Sequence, residues 1–178
     1  RAVGVDPDFI RTAGQVDDPT AAAVFSADMV VGFCQRGNLA SARIGALTPL
    51  VVDLLRRAYA YGIRHFVLLQ DTHHPQTPEF RAFLPHCVRG TEEVHTIADL
   101  QALPFATAFT VIEKNSLHPA LGTPFNHWLE DHPEVGVCFR CVRVLARRKR
   151  EIERRTRAAP SDWPLRRRVL FRLGYNRC

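Results

Sequence analysis

Residues 49–70 read PLVVDLLRRAYAYGIRHFVLLQ, and the spacing of their apolar residues changes midway. Leu50, Val51, Leu54, Leu55 and Ala58 recur at helical spacing, the stripe of an amphipathic helix over 49–61. Thr48 is placed to cap it, Pro49 suits its first turn and Gly62 its end. From Ile63 to Gln70 the chain is short and rich in β-branched and aromatic residues, which predicts a buried strand. A helix feeding directly into a buried strand is a piece of an α/β unit.

Outward from this stretch the same reading recurs. AAAVFSA (21–27) and AFTVIE (108–113) predict strands, EVGVC (134–138) a fourth, and TPFNHWLED (123–131) a short helix capped by Thr123 with Pro124 at its first position. Alternating elements of this kind argue for a mostly parallel sheet covered by helices. The 178 residues, 46% apolar and 24% charged, suit one globular domain with a real core. No run of 18 apolar residues and no signal-peptide pattern occurs, so a membrane partner is not expected. Five cysteines, at 34, 87, 138, 141 and 178, are too few and too scattered for a disulfide framework, and the reducing cytoplasm is the expected compartment.

Charge divides the chain in two. Residues 1–142 carry 11 basic and 15 acidic side chains, whereas 143–178 carry 13 and 3. The expected organisation is therefore a domain over 1–142 followed by an Arg-rich, atypical segment over 143–178. An Arg-rich tail could hold phosphates, but no nucleic-acid fold signature accompanies it, and a solvated terminus is the better expectation.

In open α/β sheets ligands bind beyond the carboxyl ends of the strands, and the three strands above end at Asp28, Asp71 and Lys114. Lys114 stands out because the chain has 22 Arg and only two Lys. A compact ammonium, not a guanidinium fork, is wanted there. DTHH (71–74) and PHC (85–87) then offer a carboxylate and several imidazoles, a donor set for zinc or a similar divalent ion. In extended backbone Asp71 and His73 face the same way and His74 does not. A cysteine flanked by Asp28 and Lys114 would be a natural nucleophile. Cys138 ends the fourth strand and Cys141 follows it, while Cys34 and Cys87 are expected to be packed as small apolar residues.

Four separated segments, ADMVVGFCQRGNLAS (27–41), VLLQDTHHP (67–75), FLPHCVRGTEE (83–93) and FTVIEKNSLHPALGT (109–123), together resemble the isochorismatase-like cysteine hydrolases, within them the nicotinamidase-like branch. The resemblance covers roughly residues 20 to 133 and implies a three-layer α/β/α fold. It implies that Asp28 is a general base, Lys114 the catalytic lysine, Asp71, His73 and His86 the metal ligands, and Phe33 an aromatic lining the substrate pocket. The implied cofactor is a divalent metal, zinc foremost, and the implied partner a small carboxamide substrate; homo-oligomerisation is left open.

The likeness breaks at the nucleophile. The family places it in a Gly-x-x-Thr-Asp-x-Cys-Val segment after a full apolar strand, and the corresponding stretch here is VGVCFRCVRVL (135–145). Cys141, followed by Val142 at the expected start of a helix, is the candidate, with Cys138 as the competing position. The charge of the stretch beyond it, its lack of apolar period and its missing strand lead to the expectation of a diverged, truncated or out-of-frame C-terminus, and an opening Arg1 in place of Met to that of a fragment. Two functions follow: a metal-dependent cysteine amidase acting through a thioester, or a non-catalytic relative that keeps the metal pocket without a competent cysteine.

Overall fold

A computed structural model describes residues 18–142, the last six of them by backbone alone. The Arg-rich segment 143–178 and the helix expected after Cys141 lie outside the described residues. Four strands, β1 (Ala22–Ala27), β2 (His65–Asp71), β3 (Phe109–Lys114) and β4 (Val137–Val142), form a parallel sheet in the order β3-β2-β1-β4. Two short helices, α1 (Val31–Cys34) and α2 (Ala42–Gly45), follow β1, then α3 (Thr48–Tyr61); α4 (Ala98–Gln101) precedes β3, and α5 (Phe125–Asp131) lies between β3 and β4.

The central strands are buried on both faces, which is why β1 and β2 read as apolar runs rather than alternating ones. Ala22, Val24, Phe66 and Leu68 point to one side, where α3 and α4 cover them with Val51, Leu55, Ala58 and Leu100. Ala23, Phe25, Ala27, Val67 and Leu69 point to the other, against Trp128 of α5 and Val135. Helices on opposite faces of one sheet make the three-layer α/β/α architecture. Each fully buried Leu or Val in these layers contributes about 1.5–3 kcal/mol of apolar burial. Among the described residues no helix is long and apolar enough to cross a membrane.

The helix expected over 49–61 forms, but Thr48 is its first residue and not its cap. Leu47 occupies the cap position without a side-chain bond, and the helix is held through its buried face. Gly62 ends it at φ 113°, a left-handed conformation that glycine adopts without strain. The start of α5 is one residue later than expected: Pro124 holds the cap position and Phe125 is first, while Thr123, before the cap, accepts from Phe125 N through its Oγ1 at 3.2 Å.

The fourth strand differs more. Val135 is buried under α5, Gly136 N donates to Ala21 O at 2.9 Å, and pairing to β1 begins only at Val137↔Ala22. The strand therefore occupies 137–142 instead of 134–138. Cys141 lies inside it rather than after it, at a register shift between Arg140↔Phe25 and Val142↔Ser26.

Strand order also locates the crevice. From β1 the chain builds outward to β2 and β3 on one side and then returns to place β4 on the other. The carboxyl ends of β1 and β4 flank this reversal, where open α/β sheets bind their ligands.

Candidate active site

Asp28 leaves β1 at φ 60°, a left-handed conformation that aspartate tolerates better than most residues, and its amide donates to Leu69 O at 2.8 Å. The turn leaves its carboxylate buried at the rim. Asp71 N donates to Asp28 Oδ1 at 3.2 Å, and Lys114 Nζ stands 3.0 Å from the same oxygen. Lys114 also hydrogen-bonds Asp71 Oδ1. All three side chains are nearly inaccessible to water, so their charges have one another as principal partners.

Asp71 divides its two oxygens. Oδ1 takes the lysine, while Oδ2 lies 3.5 Å from His73 Nε2 and 3.9 Å from His86 Nε2. His73 follows β2 in extended backbone and pairs with the segment after Cys87: His73 N donates to Cys87 O at 2.8 Å and Arg89 N to His73 O at 2.9 Å. That pairing brings His86 alongside, with the two imidazole centroids 4.7 Å apart. His74, turned away as the alternation requires, is exposed.

Glu79, in the 3-10 turn Pro78–Arg81, joins this group with Oε1 3.9 Å from His86 Nε2. One donor atom from each of Asp71, His73, Glu79 and His86 lies within 4.8 Å of every other. Nothing in its local sequence separates Glu79 from an ordinary surface glutamate; only the folding of the 72–86 loop turns it inward. Asn115 was equally inconspicuous. Its Oδ1 accepts from His74 N at 2.9 Å and sits 3.3 Å from His73 Nδ1. Leu84 O lies 2.7 Å from His86 Nδ1 in the same way. With carbonyl oxygens at both Nδ1 atoms, each ring carries its proton there and turns an Nε2 lone pair toward the cluster.

Two observations fit a divalent cation to this cluster. His73 Nε2 is fully buried without a hydrogen-bond partner among the described residues, which a buried nitrogen seldom is. Asp28, Asp71 and Glu79 also set three carboxylates against a single ammonium, an excess of acid that a divalent ion would neutralise. Aromatic rings enclose the imidazoles: Phe80 lies 5.4 Å from His73 and 5.6 Å from His86, and Phe33, on α1, 5.4 Å from His86.

Electrostatics separate the two aspartates. Burial, opposed by Lys114 and reinforced by Asp71, raises the Asp28 carboxyl to about 6, in the range of a working general base. Burial acts upward on Asp71 too, but the His73 imidazole beside it and the charge of Lys114 outweigh it and hold that carboxyl below its ordinary value. Lys114 loses solvation on burial, yet Asp28 and Asp71 more than compensate and push its ammonium up.

The structure thus brings together Asp28, Lys114, Asp71, His73, His86 and Phe33. Cys34 and Cys87 are buried free thiols, as expected; burial raises Cys34 to about 11 and Cys87 higher still. Cys141 stands on the strand beside β1, short of the level of Asp28.

No family model matches the chain. A curated relative, Nicotinamidase 1 of Arabidopsis thaliana, is 31% identical over 101 residues, 54% of this chain and 41% of that protein, so the chain spans about two fifths of that relative's length. Among solved structures, an isochorismatase-like hydrolase from Alkaliphilus metalliredigens superposes with a TM-score of 0.57 at 18% identity, covering 67% of this chain and 65% of that one. The fold is isochorismatase-like. A pyrazinamidase of Pyrococcus horikoshii in complex with zinc superposes at a TM-score of 0.56 and 21% identity, over 68% of this chain and 69% of that one. The isochorismatase-like sheet therefore carries a sequence that resembles a nicotinamidase, with an acidic and imidazole cluster at its carboxyl rim.

Proposed function

We propose that this isochorismatase-like chain is a metal-dependent cysteine hydrolase that cleaves a small, nicotinamide-like carboxamide to the acid and ammonia, in the cytoplasm. The observation that carries the reading is the shared Asp71, whose one carboxylate joins the Asp28–Lys114 pair to the His73, Glu79 and His86 donors. A proton-accepting group and a ligand-anchoring group are thereby fixed to each other.

In this reading Asp28 takes the proton of the Cys141 thiol, and Lys114 favours both resulting anions. The sulfur bonds to the carboxamide carbon; the C–N bond breaks as the leaving nitrogen regains the proton from Asp28 and departs as ammonia. Water then adds to the thioester carbon, the C–S bond breaks, and acid and thiol are released. Asp71, His73 and His86, with Glu79 beside them, would hold a divalent ion, zinc foremost, whose Lewis acidity would anchor a pyridine-type ring nitrogen. Phe33 would line the ring's face.

The register of β4 favours a second reading, a relative that retains the pocket without turnover. Asp28 follows the end of β1, whereas Cys141 is held within a strand at the level of Phe25 and Ser26. Attack on a carbonyl requires approach to about 3–3.5 Å. Ammonia release from nicotinamide by the full chain separates the two: turnover lost in both Cys141→Ala and Asp28→Ala supports the hydrolase. No turnover from zinc-loaded protein supports the non-catalytic relative, and turnover that survives Cys141→Ala but not Cys138→Ala moves the nucleophile.

A further inference from the structure

A second group of donors lies at the opposite end of the sheet. His65 opens β2, His132 follows α5, and Glu134 sits in the connection to β4. His65 Nε2 is 3.4 Å from Glu134 Oε1, and one donor atom from each of the three residues lies within 4.8 Å of the others. His65 and Asp71 stand six positions apart at the two ends of β2, about 20 Å along the strand, so this group is independent of the carboxyl rim.

The two rings are already oriented. His132 Nδ1 meets Trp128 O at 2.7 Å and the ring stacks on the Trp128 indole at 4.2 Å, so its Nδ1 keeps the proton and its Nε2 lone pair is left free. His65 is hydrogen-bonded to the backbone of Thr20 while its Nε2 faces Glu134. The imidazoles meet edge to face, centroids 5.1 Å apart at 81°. Zinc bonds of about 2.0 Å in a tetrahedron put neighbouring donors about 3.3 Å apart. His65 and Glu134 stand near that separation, and Glu134, half-exposed, has room to move.

We propose that His65, His132 and Glu134 form a second site for a divalent d-block cation, zinc foremost, at the amino-terminal rim of the sheet. Two imidazoles and a carboxylate are an established zinc donor set with a fourth position left for water. The ion ties the start of β2 to the connection that delivers β4. It is a clip on the fold, with no general base or nucleophile of the proposed hydrolase beside it.

The test is zinc titration of the chelator-treated full chain by calorimetry, with metal content measured after gel filtration. Two zinc ions per chain are expected. Glu134→Gln and His132→Gln each weaken one of them at least about tenfold, while His73→Ala removes the other. In the His73→Ala protein, added zinc still raises the melting temperature, and the further change Glu134→Gln abolishes that rise. A single ion lost only in His73→Ala overturns the proposal, as does any stoichiometry and melting response unchanged by Glu134→Gln and His132→Gln. A single ion lost only in His132→Gln upholds it and instead removes the metal from the proposed active site.

Discussion

Lys114 Nζ lies 3.0 Å from Asp28 Oδ1 although the strands that deliver them are not neighbours, β2 standing between β3 and β1. Strands two apart are separated by about 10 Å, and the four-carbon stem of lysine crosses most of it, touching Asp71 on the way. The contact ties three strands together through one buried ammonium.

Replacing that ammonium leaves two buried carboxylates facing each other. Lys114→Met is expected to lose about 3–5 kcal/mol of stability, the usual cost of removing one partner from a buried ionic group. Lys114→Arg is not expected to restore it, because a planar fork does not fit the space of a compact ammonium. Denaturant melts of the three proteins check this; a loss under about 1 kcal/mol in Lys114→Met would mean the carboxylates are satisfied by something else.

Asp28 is expected to titrate at about 6, which carbon-13 NMR of its carboxyl can follow whether or not the protein turns over. Its folded value lies above the unfolded one of 3.8, so its contribution to stability is fully present below about pH 4 and is lost as pH rises through 6. Activity runs the other way, since a base must be ionised: kcat/KM should fall as pH drops through about 6. In Lys114→Met the Asp28 midpoint should move upward. A midpoint near 4 in the parent protein would contradict the burial seen here.

Asn115→Ala tests the orientation of His73. Without the amide oxygen at Nδ1 the ring loses its fixed tautomer, and zinc affinity at the carboxyl-rim cluster should fall about 10–100-fold. His86→Ala should remove that ion altogether, whereas His74→Ala should leave it, since His74 faces solvent. Equal zinc binding by parent and His86→Ala at this rim would exclude the cluster as a metal site.

Thiol labelling should separate the cysteines. Burial keeps Cys34 and Cys87 protonated at pH 7, so alkylation of native protein should spare both until it unfolds. Protection of Cys141 by a carboxamide, read by mass spectrometry, would place it at the substrate; rapid labelling of Cys87 in native protein would contradict its packing.

Gly32→Ala should disturb the metal cluster from a distance. A Cβ there would stand 2.7 Å from Cys87 Sγ and 3.1 Å from the Glu93 backbone oxygen, and Cys87 adjoins His86. Overpacking of this kind costs about 1–3 kcal/mol, and the displaced loop should weaken zinc binding as well. Unchanged melting and unchanged zinc affinity would show that the loop yields freely.

Legibility in the sequence followed the reach of the forces involved. The helix over 49–61 and the strand after it were readable because burial imposes their spacing locally, and Asp28, Asp71 and Lys114 because each sits at the end of an apolar run. Glu79 and Asn115 were not, since only the folded loops give them their neighbours. The bounds of β4 differ from the expected ones because Val135 and Val137 are both apolar: Val135 is buried against α5 and pairing to β1 begins only at Val137, and nothing in the spacing distinguishes the two kinds of residue. Cys141 shifted with it, from beyond the strand to within it.

Asp71 and Lys114 are also direct register partners across β2 and β3. Were β3 to slide by one residue, Glu113 would take the place of Lys114, setting carboxylate against carboxylate and turning the ammonium to the opposite face of the sheet. The apolar side chains would move with them: Ile112, buried in the core with Trp128, would turn to the exposed face, and the smaller, half-exposed Val111 would take its place. The charges at the rim therefore join Ile112 in guarding the alignment of a strand most of whose other side chains are exposed, and misaligned chains would be selected against before any ligand arrives.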